Sequence, residues 1–248
     1  MIGITSYGAY IPWHRINREA FAKAWGGFNI PGQRSIAYFD EDSLTMAVEA
    51  AQDCMRDVDP SAIDGLFFAT TTPPYVEKLC AATMALALHL RRDIQTADVE
   101  GTLRSGTTAF AFALDAVKAG RAHNVLVAAS DMRLAPPAGF TEQALGDGAG
   151  AVLIGNKNVI AEVLGSYSIS DELAATWRLD SDRYIRAWED RFVMDESYSK
   201  VMPEAISGLM KKCNLSAKDF AKAVFDPPGD IRRHGQVAAG LGFEANQL

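Results

Sequence analysis

Residues 42 to 155 repeat one alternation, and it restricts the fold more than any other property of the chain. "DEDSLTMAVEAAQDCMRDV" carries apolar residues at helical spacing, with Leu44, Val48, Ala51, Met55 and Val58 on one face. Asp42 or Ser43 suits its N-cap. "AIDGLFFATT" follows as a continuous apolar run of strand length, the pattern of a strand covered on both faces. A second helix is predicted over "YVEKLCAATMALALHL", entered just after Pro73 and Pro74. "IQTADVEG" reads as the next strand and "SGTTAFAFALDAVKAG" as a third helix, stopped by Gly120. "NVLVAASD" is another strand, and "GDGAGAVLIG" ends in one more. Strands alternating with helices predict a mostly parallel sheet with right-handed crossovers. Upstream, "IGITSYGAYIP" is a first strand ended by Pro12, and residues 13 to 39 form an irregular excursion.

Sheets of this kind place ligands at the carboxyl ends of their strands. Three stretches fall there: "DVEGTLRSGTTAF", "TTTPPYVEK" and "SDMRLAPP". The first suits a nucleophile, because a helix start is electropositive and its N–H groups are unpaired. Yet the turn holds Gly101, Thr102, Leu103, Arg104 and Ser105, with no cysteine and no obvious base. Ser105 has two readings. The helix start favours an oxyanion there, but a serine nucleophile needs a base within reach and none is assigned. Otherwise it is a small residue that packs the turn or caps the helix. Arg104 either binds a carboxylate or phosphate or pairs with Glu100 or Asp98. Asp147, between glycines that permit a tight turn and close strand approach, reads as structural. Phe110, Ala113, Ala116 and Val117 form a core stripe.

The second half starts the same pattern again. "IAEVLGSYSISDE" begins a strand, residues 171 to 198 are a charged and aromatic insertion, and a helix runs from about Lys200 to Cys213. Ser216 suits a cap. "AKAVFDPP" is a short strand ended by Pro227, and "DIRRHGQVAAGLGF" is a helix. The expected division is 1–160 and 161–248. With only two or three strands, the second half would be an open half-sheet with exposed parallel edges, a liability. The expectation is therefore a fragment, or a fold that another polypeptide completes. Asp226, at a strand end, is either a general base or the cap of the turn before Pro227. Arg232, Arg233 and His234 form a short basic cluster, either a binding element or a solvated helix face. His14, His89 and His123 read as surface or packing residues.

Composition narrows the function classes. The net charge of −7 argues against nucleic acid as the main partner. The three cysteines, Cys54, Cys80 and Cys213, are scattered without CxxC or ligand spacing, so they read as packing residues, with no structural zinc and no disulfide framework. The N-terminus lacks a basic n-region, and the longest apolar run is far short of a membrane span. A soluble cytoplasmic protein without a metal is expected.

Taken together, "DEDSLTMAVEAA", "DVEGTLRSGTTAF", "VLVAASDMR", "GDGAGAVLIG" and "FDPPGDIRRHGQVAAGLGF" resemble the thiolase superfamily, in particular its 3-hydroxy-3-methylglutaryl-CoA synthase-like branch. The resemblance implies an α/β thiolase-like fold, layered αβαβα. The chain would hold the complete N-terminal half and part of the C-terminal half. It implies oligomers with another thiolase-fold chain and, in the bacterial and archaeal members, an OB-fold/zinc-ribbon partner. It also implies a coenzyme A thioester as ligand, with no covalently bound cofactor. The family's chemistry needs an acyl-accepting cysteine, a histidine and a glutamate. Matched motif by motif, the cysteine falls on Leu103, the glutamate on Thr71 and the histidine on Asp226. All three roles are absent, and the terminal Gly/Asn-rich active-site loop has no counterpart. Arg232 and Arg233 fall where the family contacts coenzyme A phosphates, with His234 beside them. Three functions follow as expectations. The first is a subunit of an acyl-CoA-processing complex without cysteine acyl transfer. The second is an acyl-CoA carbon–carbon bond forming or cleaving enzyme, of synthase, thiolase or retro-aldolase type, with a non-cysteine mechanism. The third is an acyl-CoA binding module.

Overall fold

Every residue of the strand Gly65–Thr70 is buried, so this strand must be covered on both faces and flanked on both edges. In a computed structural model the chain is described over residues 1–173, 175–225 and 231–248, with Ile231 and Arg232 described by their backbone alone. It divides into two units, Met1–Val163 and Leu164–Leu248.

The first unit begins with β1 (Gly3–Tyr10), a hairpin of β2 (Arg15–Asn17) and β3 (Gln33–Ser35) around α1 (Glu19–Trp25), and α2 (Ser43–Cys54). Then come β4 (Gly65–Thr70), α3 (Cys80–Ala87), β5 (Gln95–Glu100), α4 (Ser105–Lys118) and β6 (Asn124–Asp131). A short α5 (Phe140–Ala144) leads into β7 (Gly148–Gly155) and β8 (Ala161–Glu162). The six-stranded sheet has the order β5-β4-β6-β7-β1-β8.

The two-residue period of the strands sorts side chains between two helix layers. Leu66 and Phe68 of β4, with Leu126 and Ala128 of β6, pack on α2 and α3. Phe67 and Ala69, with Val125 and Val127, pack on α4. Asp42 caps α2 in a reciprocal box with Thr45. Gly120, at φ +69°, closes α4, with the Arg121 N–H donating to the Ala116 carbonyl.

Four expectations need correction. β4 is parallel to β5 and β6, but β6–β7, β7–β1 and β1–β8 are antiparallel, so the sheet is mixed. α3 and α4 each carry the chain back across a sheet face, as a parallel pair requires. The five-residue α5 is too short for that, and β7 returns alongside β6. The second helix starts at Cys80, well after the prolines, because the Cys80 and Ala81 N–H groups donate to Asp98 on β5 at 2.5 and 2.7 Å. The strand predicted after Ile160 is the two-residue β8. Residues 221–225 form no strand.

The second unit contains a two-residue hairpin, β9 (Thr176–Trp177) with β10 (Arg186–Ala187), and a short α6 (Asp190–Val193). A π-helical turn, Met194–Tyr198, leads into α7 (Ser199–Cys213), and α8 (Ile231–Gly240) follows. Its core gathers Ala217, Ala238 and Phe243 with Phe220 and Phe225. Ser216 and Asp219 cap each other across a 3-10 turn.

Two contacts in the first unit generate predictions. A Cβ on Gly8 would stand 2.2 Å from the Cys54 nitrogen and 2.5 Å from the Ala50 oxygen, both backbone atoms of α2. Gly8→Ala is expected to destabilise the chain by about 1–3 kcal/mol in urea unfolding; an unchanged midpoint contradicts this packing. Asp147 is buried and accepts from the Ala37 N–H at 2.8 Å. Burial pushes its carboxyl up from the usual range. A raised native pKa gives a stabilising contribution that is present below the unfolded pKa and lost as pH rises through the native one. Asp147→Asn keeps the acceptor without the charge. Its unfolding free energy should therefore gain on wild type as pH rises above the normal carboxylate pKa, and a pH-independent difference would refute this.

Candidate functional site

The parallel strands β4, β5 and β6 end on the same side of the sheet, at Thr70, Glu100 and Asp131. Asp131 draws these ends together. Its Oδ1 accepts from the hydroxyls of Thr70, Thr71 and Thr72, each at 3.0 Å, and from the Thr71 N–H at 2.7 Å. The Thr72 hydroxyl also receives the Met132 N–H at 3.1 Å, and the Thr72 carbonyl accepts from Ser43 at the start of α2 at 2.6 Å. The three threonines and Asp131 thus form one network fastened to β6 and α2.

A cleft of about 290 Å³ opens beside it. Thr70 and Asp131 line one part of it, and Leu103, Ser105 and Gly106 at the start of α4 line another. Small residues of β6 and β7 complete the walls, Ala129 and Gly150 among them. The chain enters α4 through Gly101, whose φ of +79° allows the turn from β5. Leu103 is 62% exposed. Ser105 is buried, and its hydroxyl donates to the Thr102 carbonyl at 2.6 Å, so it serves the turn. α4 has no side-chain cap.

No cysteine lines this cleft among the described residues. Cys54 and Cys80 lie in the core on the α2–α3 side. Burial pushes the Cys54 thiol up to about 11, and burial beside Asp98 and Glu100 raises that of Cys80. Neither is a thiolate at neutral pH. Glu100 is likewise raised by burial and by Asp98. Among the described residues no group of His, Cys, Asp and Glu is arranged to hold a metal ion, and no helix is long and apolar enough to cross a membrane.

Of the residues singled out in the sequence, the first unit brings Leu103 and Ser105 to the cleft and places Thr71 on Asp131 beside it. Asp226 lies outside the described residues, as does the side chain of Arg232. In the second unit Arg233 donates to Asp195 at 2.9 Å. His234 Nδ1 is 3.3 Å from the Tyr198 hydroxyl, and its ring meets Phe225 edge-on at 5.3 Å. Asp195 and Tyr198 both come from the π-helical turn. Asp131 is the residue that sequence reasoning missed. It sits in "SDMR", a stretch assigned to a strand end, but nothing local announces its link to residues some 60 positions away.

The architecture is the thiolase-like fold. The 3-oxoacyl-(acyl carrier protein) synthase III of Pseudomonas aeruginosa superposes with a TM-score of 0.86 at 21% identity, over 99% of this chain and 81% of that one. An HMG-CoA synthase solved in complex with CoA superposes at 0.84 with 20% identity, over 97% of this chain and 63% of that one. No protein-family model matches the sequence. The hydroxymethylglutaryl-CoA synthase of Methanopyrus kandleri is 34% identical over 258 aligned positions, which take in 100% of this chain and 73% of that protein. The chain belongs to the hydroxymethylglutaryl-CoA synthase family.

The threonine network predicts the outcome of placing an acid at the β4 end. Thr71→Glu removes a hydroxyl donor to Asp131 and sets a second negative charge beside it. It should lower stability by about 1 kcal/mol or more in urea unfolding. A variant as stable as wild type would mean the Thr71–Asp131 bond contributes nothing.

Proposed function

We propose that this protein is an HMG-CoA synthase-like, thiolase-fold subunit of an acyl-CoA-processing complex, and that it handles a coenzyme A thioester without forming an acyl-cysteine. The observation that carries this reading is Leu103 on the cleft at the start of α4, the position where the family motif has its cysteine. An alkyl side chain cannot accept an acyl group. Ser105 is no substitute, since its hydroxyl is engaged with the Thr102 carbonyl and no base among the described residues is bonded to it. The thioester as ligand is supported by the relatives, one of them solved with CoA and another with 3-hydroxy-3-methylglutaryl coenzyme A.

Arg232 and Arg233 are the residues the family pattern assigns to the coenzyme A phosphates. The pairing of Arg233 with Asp195 weakens the assignment for that residue. Degeneracy at Thr71, Leu103 and Asp226 together supports a role in which another chain supplies or replaces the standard chemistry. That chain would be a second thiolase-fold polypeptide, a copy of this one or an intact relative, with an OB-fold protein as a further member. The absent thiol leaves open a non-cysteine route to carbon–carbon bond cleavage, and the cleft's carboxylate favours this second reading.

Incubation with acetyl-CoA followed by intact-mass measurement tests the central claim. Wild type should keep its own mass, whereas Leu103→Cys should gain one acetyl group on the peptide containing residue 103. A covalent acyl adduct on wild type would overturn the reading. Co-expression with the adjacent open reading frames should yield a hetero-oligomer, and a chain that purifies alone as a monomer from that experiment removes the subunit role.

A further inference from the structure

The cleft has one carboxylate on its lining among the described residues, and it does not come from the strand on which the family carries its acid. All four described hydrogen bonds to Asp131 converge on Oδ1. Oδ2 accepts none among the described residues. A carboxylate gripped through one oxygen has a fixed orientation, and its second oxygen keeps lone pairs for a ligand. The amides of Gly106 and Thr107, in the first turn of α4, have no acceptor among the described residues, because α4 starts without a side-chain cap. Gly106 and Asp131 both line the cleft. One cavity therefore presents a proton acceptor and, separately, an electropositive helix start.

We propose that Asp131 is the catalytic base of this cleft, acting on a 3-hydroxyacyl coenzyme A thioester. The inference rests on the thioester-binding reading above and supplies its chemistry. Asp131 Oδ2 takes the proton of the 3-hydroxyl. The oxygen electron pair forms the new C=O bond at C3, the C2–C3 bond breaks, and its electrons pass to C2 as the thioester enolate. The enolate oxygen is stabilised by the α4 amides, C2 takes a proton from water, and the hydroxide so formed takes the proton back from Asp131. The products are a shorter acyl-CoA and a ketone or aldehyde. No acyl-enzyme forms, so Leu103 is compatible with every step. No oxidant or second substrate is required.

The test uses the full chain, with 3-hydroxy-3-methylglutaryl-CoA and 3-hydroxybutyryl-CoA as probes. Two quantities are measured separately: binding of each thioester by calorimetry, and release of acetyl-CoA by chromatography. Asp131→Asn retains an Oδ1 acceptor for the threonines and loses the basic oxygen. It should bind the probe as wild type does and release acetyl-CoA about 100-fold more slowly or worse, the usual contribution of a general base. Circular dichroism checks its fold. Should that variant not fold, Asp131→Glu keeps the charge and displaces the oxygens; it should bind normally and lose about 10-fold or more in release. A variant that cleaves as fast as wild type overturns the role of Asp131. Wild type that binds both probes and cleaves neither also overturns it, while leaving the binding reading intact. Wild type that binds neither thioester removes both.

Discussion

The burial of β4 is the constraint from which the first unit follows. Its side chains alternate between two helix layers, and its backbone pairs on both edges with parallel neighbours. A slip of one residue would exchange Phe67 and Phe68 between layers packed for different partners. The register is therefore held from both sides, and it sets where the strands stop. Ala69 lies opposite Ala129, so the threonines after β4 arrive beside Asp131 at the end of β6. The geometry of the site is a consequence of core packing several residues away.

That dependence also explains the shape of the turn into α4. β5 delivers the chain to Gly101, whose left-handed φ reverses it. Ser105 closes the turn with its own hydroxyl and amide, both donating to the Thr102 carbonyl. A hydroxyl bound in this way stabilises the loop and is withdrawn from chemistry. What remains at the helix start is a set of backbone amides and an exposed leucine. These amides offer electrostatic stabilisation at the cleft.

Where local pattern determines structure, the sequence was legible. The apolar runs and helical spacing of β4, β6, α2 and α4 correspond to elements whose own residues form the core. Legibility failed where a distant partner decides. α3 begins late because its cap is Asp98, 18 positions onward. β7 and β1 are antiparallel to their neighbours because of the length of the connection before β7, which periodicity does not register. The predicted strand after residue 220 had apolar character, yet Phe220 and Phe225 belong to an aromatic cluster with Phe243. At the site, motif matching identified Leu103 and Thr71 as positions of interest, but the bond between Thr71 and Asp131 spans 60 residues. The basic cluster at 232–234 read as a unit, although Arg233 and His234 have separate partners on the π-helical turn.

Threonine at residue 71 and aspartate at residue 131 make sense as a pair. Adjacent strands lie about 4.8 Å apart, so a carboxylate at the end of β6 sits about one strand spacing from one at the end of β4. Two such carboxylates, both ionised, would repel. With Thr71 in place, the β4 end supplies donors where a second acid would compete with Asp131. The hydroxyls of residues 70 to 72 all donate to one oxygen of a single carboxylate and so leave its orientation invariant. Threonines at the end of β4 and an aspartate at the end of β6 meet one electrostatic requirement: among the described residues a single carboxylate lines this cleft, held by several donors.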